Sequence, residues 1–259
     1  METSTKTNLF TEKSEAYAKY RPGYPAEAIN AILDPFKAQK TIKIIDIGAG
    51  TGIASRLMAE RGALVTAIEP NGSMIASARS HERVNYIQAR AECTPVDTNS
   101  ADIVTSFQAF HWFNFKKSLK EFNRILKPGG KLALVWNYWD VRDTFTASYA
   151  ELINDAARKN PSRIEPYEGF PGKLKKQRMR LLWKFRYLPF FKNVQRKRFK
   201  LHQNMELDAL IGCAKSQSYL VHEGPEWIDL VENIKKLHSQ NAVCRLTYNI
   251  NVFLATPVK

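Results

Sequence analysis

The sequence predicts an α/β fold: a doubly wound, mostly parallel sheet with helices packed on both faces. Three observations predict it. Five strand-then-helix units recur within the first 136 residues, which is the rhythm of a parallel sheet. The first of these strands ends in Gly48, Gly50 and Gly52, at alternate positions where the missing Cβ makes a positive φ cheap. Glu69 closes the second strand 21 residues after Gly48, where a right-handed crossover sets the second strand tip beside the first.

Composition bounds the remainder. A chain of 259 residues can bury one sizeable core and a small extra subdomain. Its 44% hydrophobic and 11% aromatic content belongs to a globular protein rather than a disordered one. No run approaches the ~18 apolar residues that cross a bilayer. Met1 to Glu15 is polar and has no apolar h-region, so a cytoplasmic location is expected. Cys93, Cys213 and Cys244 are odd in number and far apart. They suggest a reducing compartment, with neither a disulfide framework nor a metal site.

Taken in order, residues 1–25 read as an N-terminal arm. Phe10, Tyr17, Tyr20 and Tyr24 can share one face of a short helix that breaks at Pro22. The arm is either a lid that sets its tyrosines and Arg21 against a ligand, or a strap anchored by aromatic packing. A helix over 26–36 follows. Ile44-Ile45-Asp46-Ile47 is a buried strand, and the helix from Ile53 to Glu60 has Gly62 just past its end. Ala63–Ile68 is the second strand. Pro70-Asn71 opens a helix that carries Met74 and Ile75. Val84–Ala89 and Ala101–Ser106 are strands three and four. Phe115–Leu126 is an amphipathic helix with Phe115, Leu119, Phe122, Ile125 and Leu126 on one stripe. Lys127-Pro128-Gly129-Gly130 should end that helix, and Lys131–Trp136 is strand five.

The glycine spacing discriminates between ligands. A dinucleotide fingerprint is G-x-G-x-x-G. Here the third glycine comes one residue early, and Asp46 stands two residues before the first. This D-x-G-x-G-x-G pattern resembles the first motif of the Rossmann-like, class I S-adenosylmethionine (SAM) methyltransferases. The Leu-Lys-Pro-Gly-Gly turn, the Phe107–Phe113 segment and Val-Trp-Asn after strand five resemble the type 11 group of that family. The opening through Tyr17, Tyr20, Arg21, Pro22, Tyr24 and Pro25 is similar to the trans-aconitate-methyltransferase-like proteins. The resemblance covers roughly residues 1–140.

It implies a seven-stranded sheet, with the last two strands forming an antiparallel hairpin at one edge and a helical cap inserted after strand five. It also implies SAM as cofactor, bound by Asp46, Gly48, Ala49, Gly50, Gly52, Glu69, Pro70, Met74, Ala91, Glu92, Gln108 and Ala109. Glu69 is placed to accept both ribose hydroxyls, and Ala91-Glu92 to meet the adenine. The lid reading becomes the better one, and Tyr17, Tyr20, Arg21, Trp112, Trp136 and Asn137 become candidate acceptor residues. His111, beside the expected crevice, is either a general base or a residue packed against Trp112. SAM carries its own electrophile, so the protein mainly places a nucleophile behind the methyl group. In the trans-aconitate-like group the acceptor is a small carboxylic acid, which Arg21 would suit. Fold-level likeness does not fix the acceptor. A SAM-binding protein without transfer activity is one alternative. An NAD-dependent oxidoreductase is another, disfavoured by the early third glycine.

Residues 141–192 break the rhythm and read as a basic helical cap, with a helix over 141–157. Between Pro171 and Lys200 there are twelve Lys or Arg and no acid, which is most of the excess behind the net charge of +14. Interleaved Leu, Met, Trp and Phe make this segment amphipathic. A substrate cap, a contact with anionic lipid, an acidic partner and RNA all remain open for 173–200, although no nucleic-acid module surrounds it. Residues 193–259 complete the sheet: strands over 194–202 and 247–255, and helices over 206–216 and 226–240.

Overall fold

The computed structural model describes residues 20–159, 189–217 and 220–259. Tyr17 and residues 160–188, which include 173–188 of the basic segment, lie outside them. Seven strands form one sheet in the order β3-β2-β1-β4-β5-β7-β6. They are β1 (Lys43–Ile47), β2 (Leu64–Ile68), β3 (Val84–Ile87), β4 (Ala101–Phe107), β5 (Leu126–Trp139), β6 (Phe191–Asn204) and β7 (Arg245–Pro257). Strands β1 to β5 are parallel, and β7 runs antiparallel to both of its neighbours. This is the mostly parallel, seven-stranded sheet with a terminal antiparallel hairpin. The order reverses at β1, so β1 and β4 diverge on either side of the crevice where such sheets bind ligands.

Helices α1 (Ala26–Leu33), α2 (Ile53–Ala59), α3 (Gly72–Ala76), α4 (Phe115–Ile125), α5 (Thr144–Lys159), α6 (Leu207–Lys215) and α7 (Pro225–Ser239) flank it. Alternation along β5 divides the core. Ala133 and Val135 join Ile44, Met58, Tyr149, Leu210 and Ile234 on one face. Leu132, Leu134 and Trp136 join Ile47, Phe110, Leu119 and Phe122 on the other. Successive strand residues point to opposite faces, so one residue decides which core a side chain enters.

Two expectations need correction. The Lys127–Gly130 stretch is not a turn ahead of a later strand. Leu126 is already extended and pairs with Ala101, and a bulge absorbs the next residues before Lys131 pairs with Ile103. Pro128 disfavours helix at Lys127, and Gly129 takes the positive φ that the bulge demands. Nor does the expected cap begin as one. The helix starts at Thr144, where the Asp143 carboxylate accepts from the Thr146 amide and hydroxyl. It buries Phe145, Tyr149 and Ile153 against the sheet, so α5 is a layer of the core.

Candidate cofactor site

The site is built where β1 ends. Gly48, Gly50 and Gly52 all have positive φ, of 70°, 57° and 73°, so each of the three glycines is required by the backbone. Gly48 and Ala49 donate to the Ile68 carbonyl at 2.8 and 3.1 Å, which ties the loop to the tip of β2. Glu69 then reaches across. Its Oε2 accepts from the Gly50 amide at 2.9 Å and its Oε1 from the Asn71 amide at 3.0 Å. Burial raises the Glu69 pKa, the two amides oppose that rise, and the Asp46 charge adds to it. Each carboxylate oxygen keeps a second lone pair, so the group is held in place with acceptor capacity to spare.

Asp46 does not enter the cavity. It is 1% exposed, and its two oxygens accept from the hydroxyls of Ser55 on α2 and Thr105 on β4, at 2.6 and 2.7 Å. The residue therefore pins loop, helix and neighbouring strand together from beneath. Burial pushes its pKa from 3.8 up to about 6, and the two hydroxyls restrain the rise.

Above the loop lies a cleft of about 460 Å³, partly open to solvent, lined by Gly48–Thr51, Ile53, Ala54, Arg21, Pro22, Tyr24, Phe107, Gln108 and Asn137. Gln108 sits at a positive φ of 55°, a strained conformation for a side chain of its size and common at functional sites. Its Nε2 donates to the Asn137 carbonyl and side-chain oxygen, which couples the tips of β4 and β5.

Of the expected cofactor residues, Gly48, Ala49, Gly50 and Gln108 line the cleft, and Gly52 starts α2 behind it. Met74 is buried against Gly50, and half-buried Ala109 packs against Gly48. The Pro70 carbonyl accepts from Gln88. Ala91 is buried, and Glu92 accepts from the Asn114 amide at 2.6 Å, which places it at the start of α4. Of the acceptor residues, Asn137 lines the cleft, but Trp136 does not. It is fully buried on the opposite face of β5, against Phe110 and Phe253, as strand alternation requires. Arg21 lines the cleft but is not held ready for a ligand. Its Nη2 donates to the Ser216 carbonyl and to Gln217 at the end of α6. Tyr20 lies against Gly212, where any Cβ would collide with its ring, so Tyr20 anchors the arm. Tyr24 meets the ligand side instead, edge-on to Phe107 at 4.7 Å.

His111 and Trp112 lie in a 3-10 turn after β4, with their rings 5.2 Å apart. Trp136 Nε1 donates to His111 Nδ1 at 3.4 Å. A neutral His111 so held carries its proton on Nε2.

Sequence reasoning passed over Thr51, Phe107 and Tyr86 as site residues, and named Tyr24 only as one of the arm's tyrosines. The Tyr86 hydroxyl is buried against Gly52 with no hydrogen-bond partner among the described residues, and nothing in a strand of alternating residues marks it. An unpaired buried hydroxyl costs its desolvation. Tyr86→Phe should therefore raise stability by about 1 kcal/mol in urea unfolding, and a loss of stability would mean that the hydroxyl has a partner after all.

Residues 45–134 match the family model described as a methyltransferase domain. This part of the chain is similar to the type 11 methyltransferase domain. The chain is 36% identical over 156 residues to an uncharacterized methyltransferase of Mycobacterium tuberculosis, covering 59% of this chain and 63% of that protein. It is 31% identical over 160 residues to one from Schizosaccharomyces pombe, covering 60% of this chain and 63% of that protein. The chain thus spans less than two thirds of the length of these relatives. A solved type II methyltransferase structure from Anaeromyxobacter dehalogenans has a TM-score of 0.69 at 22% identity, covering 92% of this chain and 98% of that one. It shares the fold.

Proposed function

We propose that this methyltransferase domain makes the protein a SAM-dependent enzyme that methylates a small-molecule acceptor. The observation that carries the proposal is the 2.9 Å bond from the Gly50 amide to Glu69. It fixes an acid at the tip of β2 beside a loop whose three glycines take the positive φ that its tight turn requires. That pairing fits a nucleoside whose ribose hydroxyls meet the acid and whose chain lies along the loop. SAM, when bound, supplies an activated methyl group. The protein's part is to hold both partners in line and exclude water, for which Tyr24, Phe107 and Pro22 provide an apolar roof. A yeast relative, 29% identical over 143 residues, is described as a probable SAM-dependent methyltransferase.

An oxygen nucleophile, and among these a carboxylate, suits the site best. Among the described residues that line the cleft none is a His, Asp or Glu that could act as a base, and a carboxylate needs none. A malonyl-[acyl-carrier protein] O-methyltransferase of Enterobacter lignolyticus, 32% identical over 106 residues and covering 42% of that protein, supports the same reading.

Isothermal titration with SAM, S-adenosylhomocysteine and NAD tests the proposal. Binding of the first two and not of NAD is expected, with Glu69→Ala weakening both by about 1–3 kcal/mol through loss of charged hydrogen bonds. Binding of NAD alone, or no effect of the substitution, would overturn it.

A further inference from the structure

Among the described residues, strand β6 is the edge of the sheet and pairs with β7 alone. Arg196, Arg198 and Lys200 stand at alternate positions, so they share one face, opposite Phe253, Asn251 and Asn249. All three are exposed, and same-face neighbours are about 7 Å apart along the strand. Across 191–204 there are five Lys or Arg and no acid.

Among the described residues, most of this charge has no counter-charge. Lys200 reaches Asp140 at 3.2 Å, but Asp140 is already held by Arg142 at 2.8 Å. Arg196 lies over the Phe253 ring, 5.5 Å from its centre, and donates to the neutral Asn251 side chain. Among the described residues, no ion pair involves Lys192, Arg196, Lys197 or Arg198. Like charges on one face of a sheet repel. Partial burial and then the Arg198 charge both lower the proton affinity of Arg196. A fold that keeps this repulsion without relieving it has a surface suited to an anion.

We propose that the Arg196, Arg198 and Lys200 row docks the protein on a membrane surface rich in anionic phospholipid. Position supports this. Arg198 is level with Asn251 and Trp136, and Lys200 with Asn249 and Tyr138. The row therefore lies at the same end of the sheet as Asn137, about 10 Å away across two strand spacings, on the face that carries Trp136 rather than Asn137. A headgroup layer on it shares the cleft's end of the sheet and not its face. A nucleic acid fits less well, because single strands need exposed rings on which bases stack. Phe253 and Trp136 are buried, and none of the exposed large apolar side chains among the described residues is aromatic. A headgroup layer requires only the cations. Charges on an edge strand also deter edge-to-edge pairing, but either sign serves that purpose, and this separates the two explanations.

The full chain is sedimented with vesicles of phosphatidylcholine alone, and of phosphatidylcholine with phosphatidylserine, with polyuridylate tested in parallel. Binding to the anionic vesicles alone, weakening with salt, is expected. At about 1 kcal/mol per surface cation, Arg198→Gln should lower partition about fivefold, and Arg198→Glu about 25-fold. Circular-dichroism melts of the variants, matching the parent chain, establish that the fold is intact. Equal binding to both vesicle types, or unchanged partition of Arg198→Glu, would overturn the proposal. Charge-dependent binding to polyuridylate without vesicle binding would overturn it in favour of RNA. None of these readouts depends on methyl transfer.

Discussion

Gly48→Ala should be among the most damaging single-methyl changes at the described glycines. At φ of 70° a residue with a Cβ costs about 1–2 kcal/mol. The new carbon would also stand 2.5 Å from Ala109 Cβ and 2.9 Å from Phe113 Cζ. Neither neighbour yields easily. Ala109 is a backbone-borne methyl, and the Phe113 ring is packed edge-on against Phe110 and Phe122. Overpacking of this kind costs about 1–3 kcal/mol, so the variant should lose about 2–5 kcal/mol in urea unfolding. The loop would be pushed off the tip of β4, and S-adenosylhomocysteine binding should fall with it. Ala109→Gly in the same chain should return the overpacking share and leave the φ strain, a coupling that a double-mutant cycle measures. Unfolding of Gly48→Ala at the parent's urea midpoint would show that the loop can move freely, which its two bonds to Ile68 deny.

How much of this was legible in the sequence follows from the physics of each signal. Gly48, Gly50 and Gly52 were legible because a positive φ leaves almost no other choice of residue. Glu69 was legible because a βαβ crossover fixes where the second strand ends. The strand order was legible only through the family likeness. Five βα units specify a parallel sheet, whereas the pairing of β7 between β5 and β6 is a long-range contact that no local pattern encodes.

The misplacements share a cause. Trp136 and Asn137 are neighbours in sequence, yet one lies in the core and the other in the cleft, because a strand turns successive residues to opposite faces. Arg21 and Tyr20 were expected to meet a ligand, and the arm does carry Arg21 to the cleft. Their partners, Gly212, Ser216 and Gln217, lie almost two hundred residues later, and nothing near Arg21 announces them. The same holds for Asp46: its place before the glycines suggested ligand contact, while its two hydroxyl partners come from α2 and β4.

Asp46→Asn should change how stability depends on pH. Burial lifts the native pKa from 3.8 to about 6, so the native state holds this proton more tightly than the unfolded chain does. The contribution favours folding below about pH 4, falls as pH rises through the window from 3.8 to about 6, and is flat above it. The whole drop is about 3 kcal/mol, the cost of keeping a buried carboxylate ionised at neutral pH. An asparagine still offers an oxygen to one hydroxyl and an amide to the other. Its unfolding free energy relative to the parent should therefore rise across pH 4–6 and level off, which urea titrations at several pH values would show, while parallel curves would remove the assignment to Asp46. The cost has a use under the proposed function. A charged Asp46 beneath the loop, next to Glu69, gives the cleft a negative floor, which favours the sulfonium of SAM over the uncharged thioether of S-adenosylhomocysteine. Asp46→Asn should thus trade discrimination for stability: firmer folding at neutral pH, and a smaller ratio of SAM to S-adenosylhomocysteine affinity in the same titration. An unchanged ratio would confine Asp46 to holding β1, α2 and β4 together.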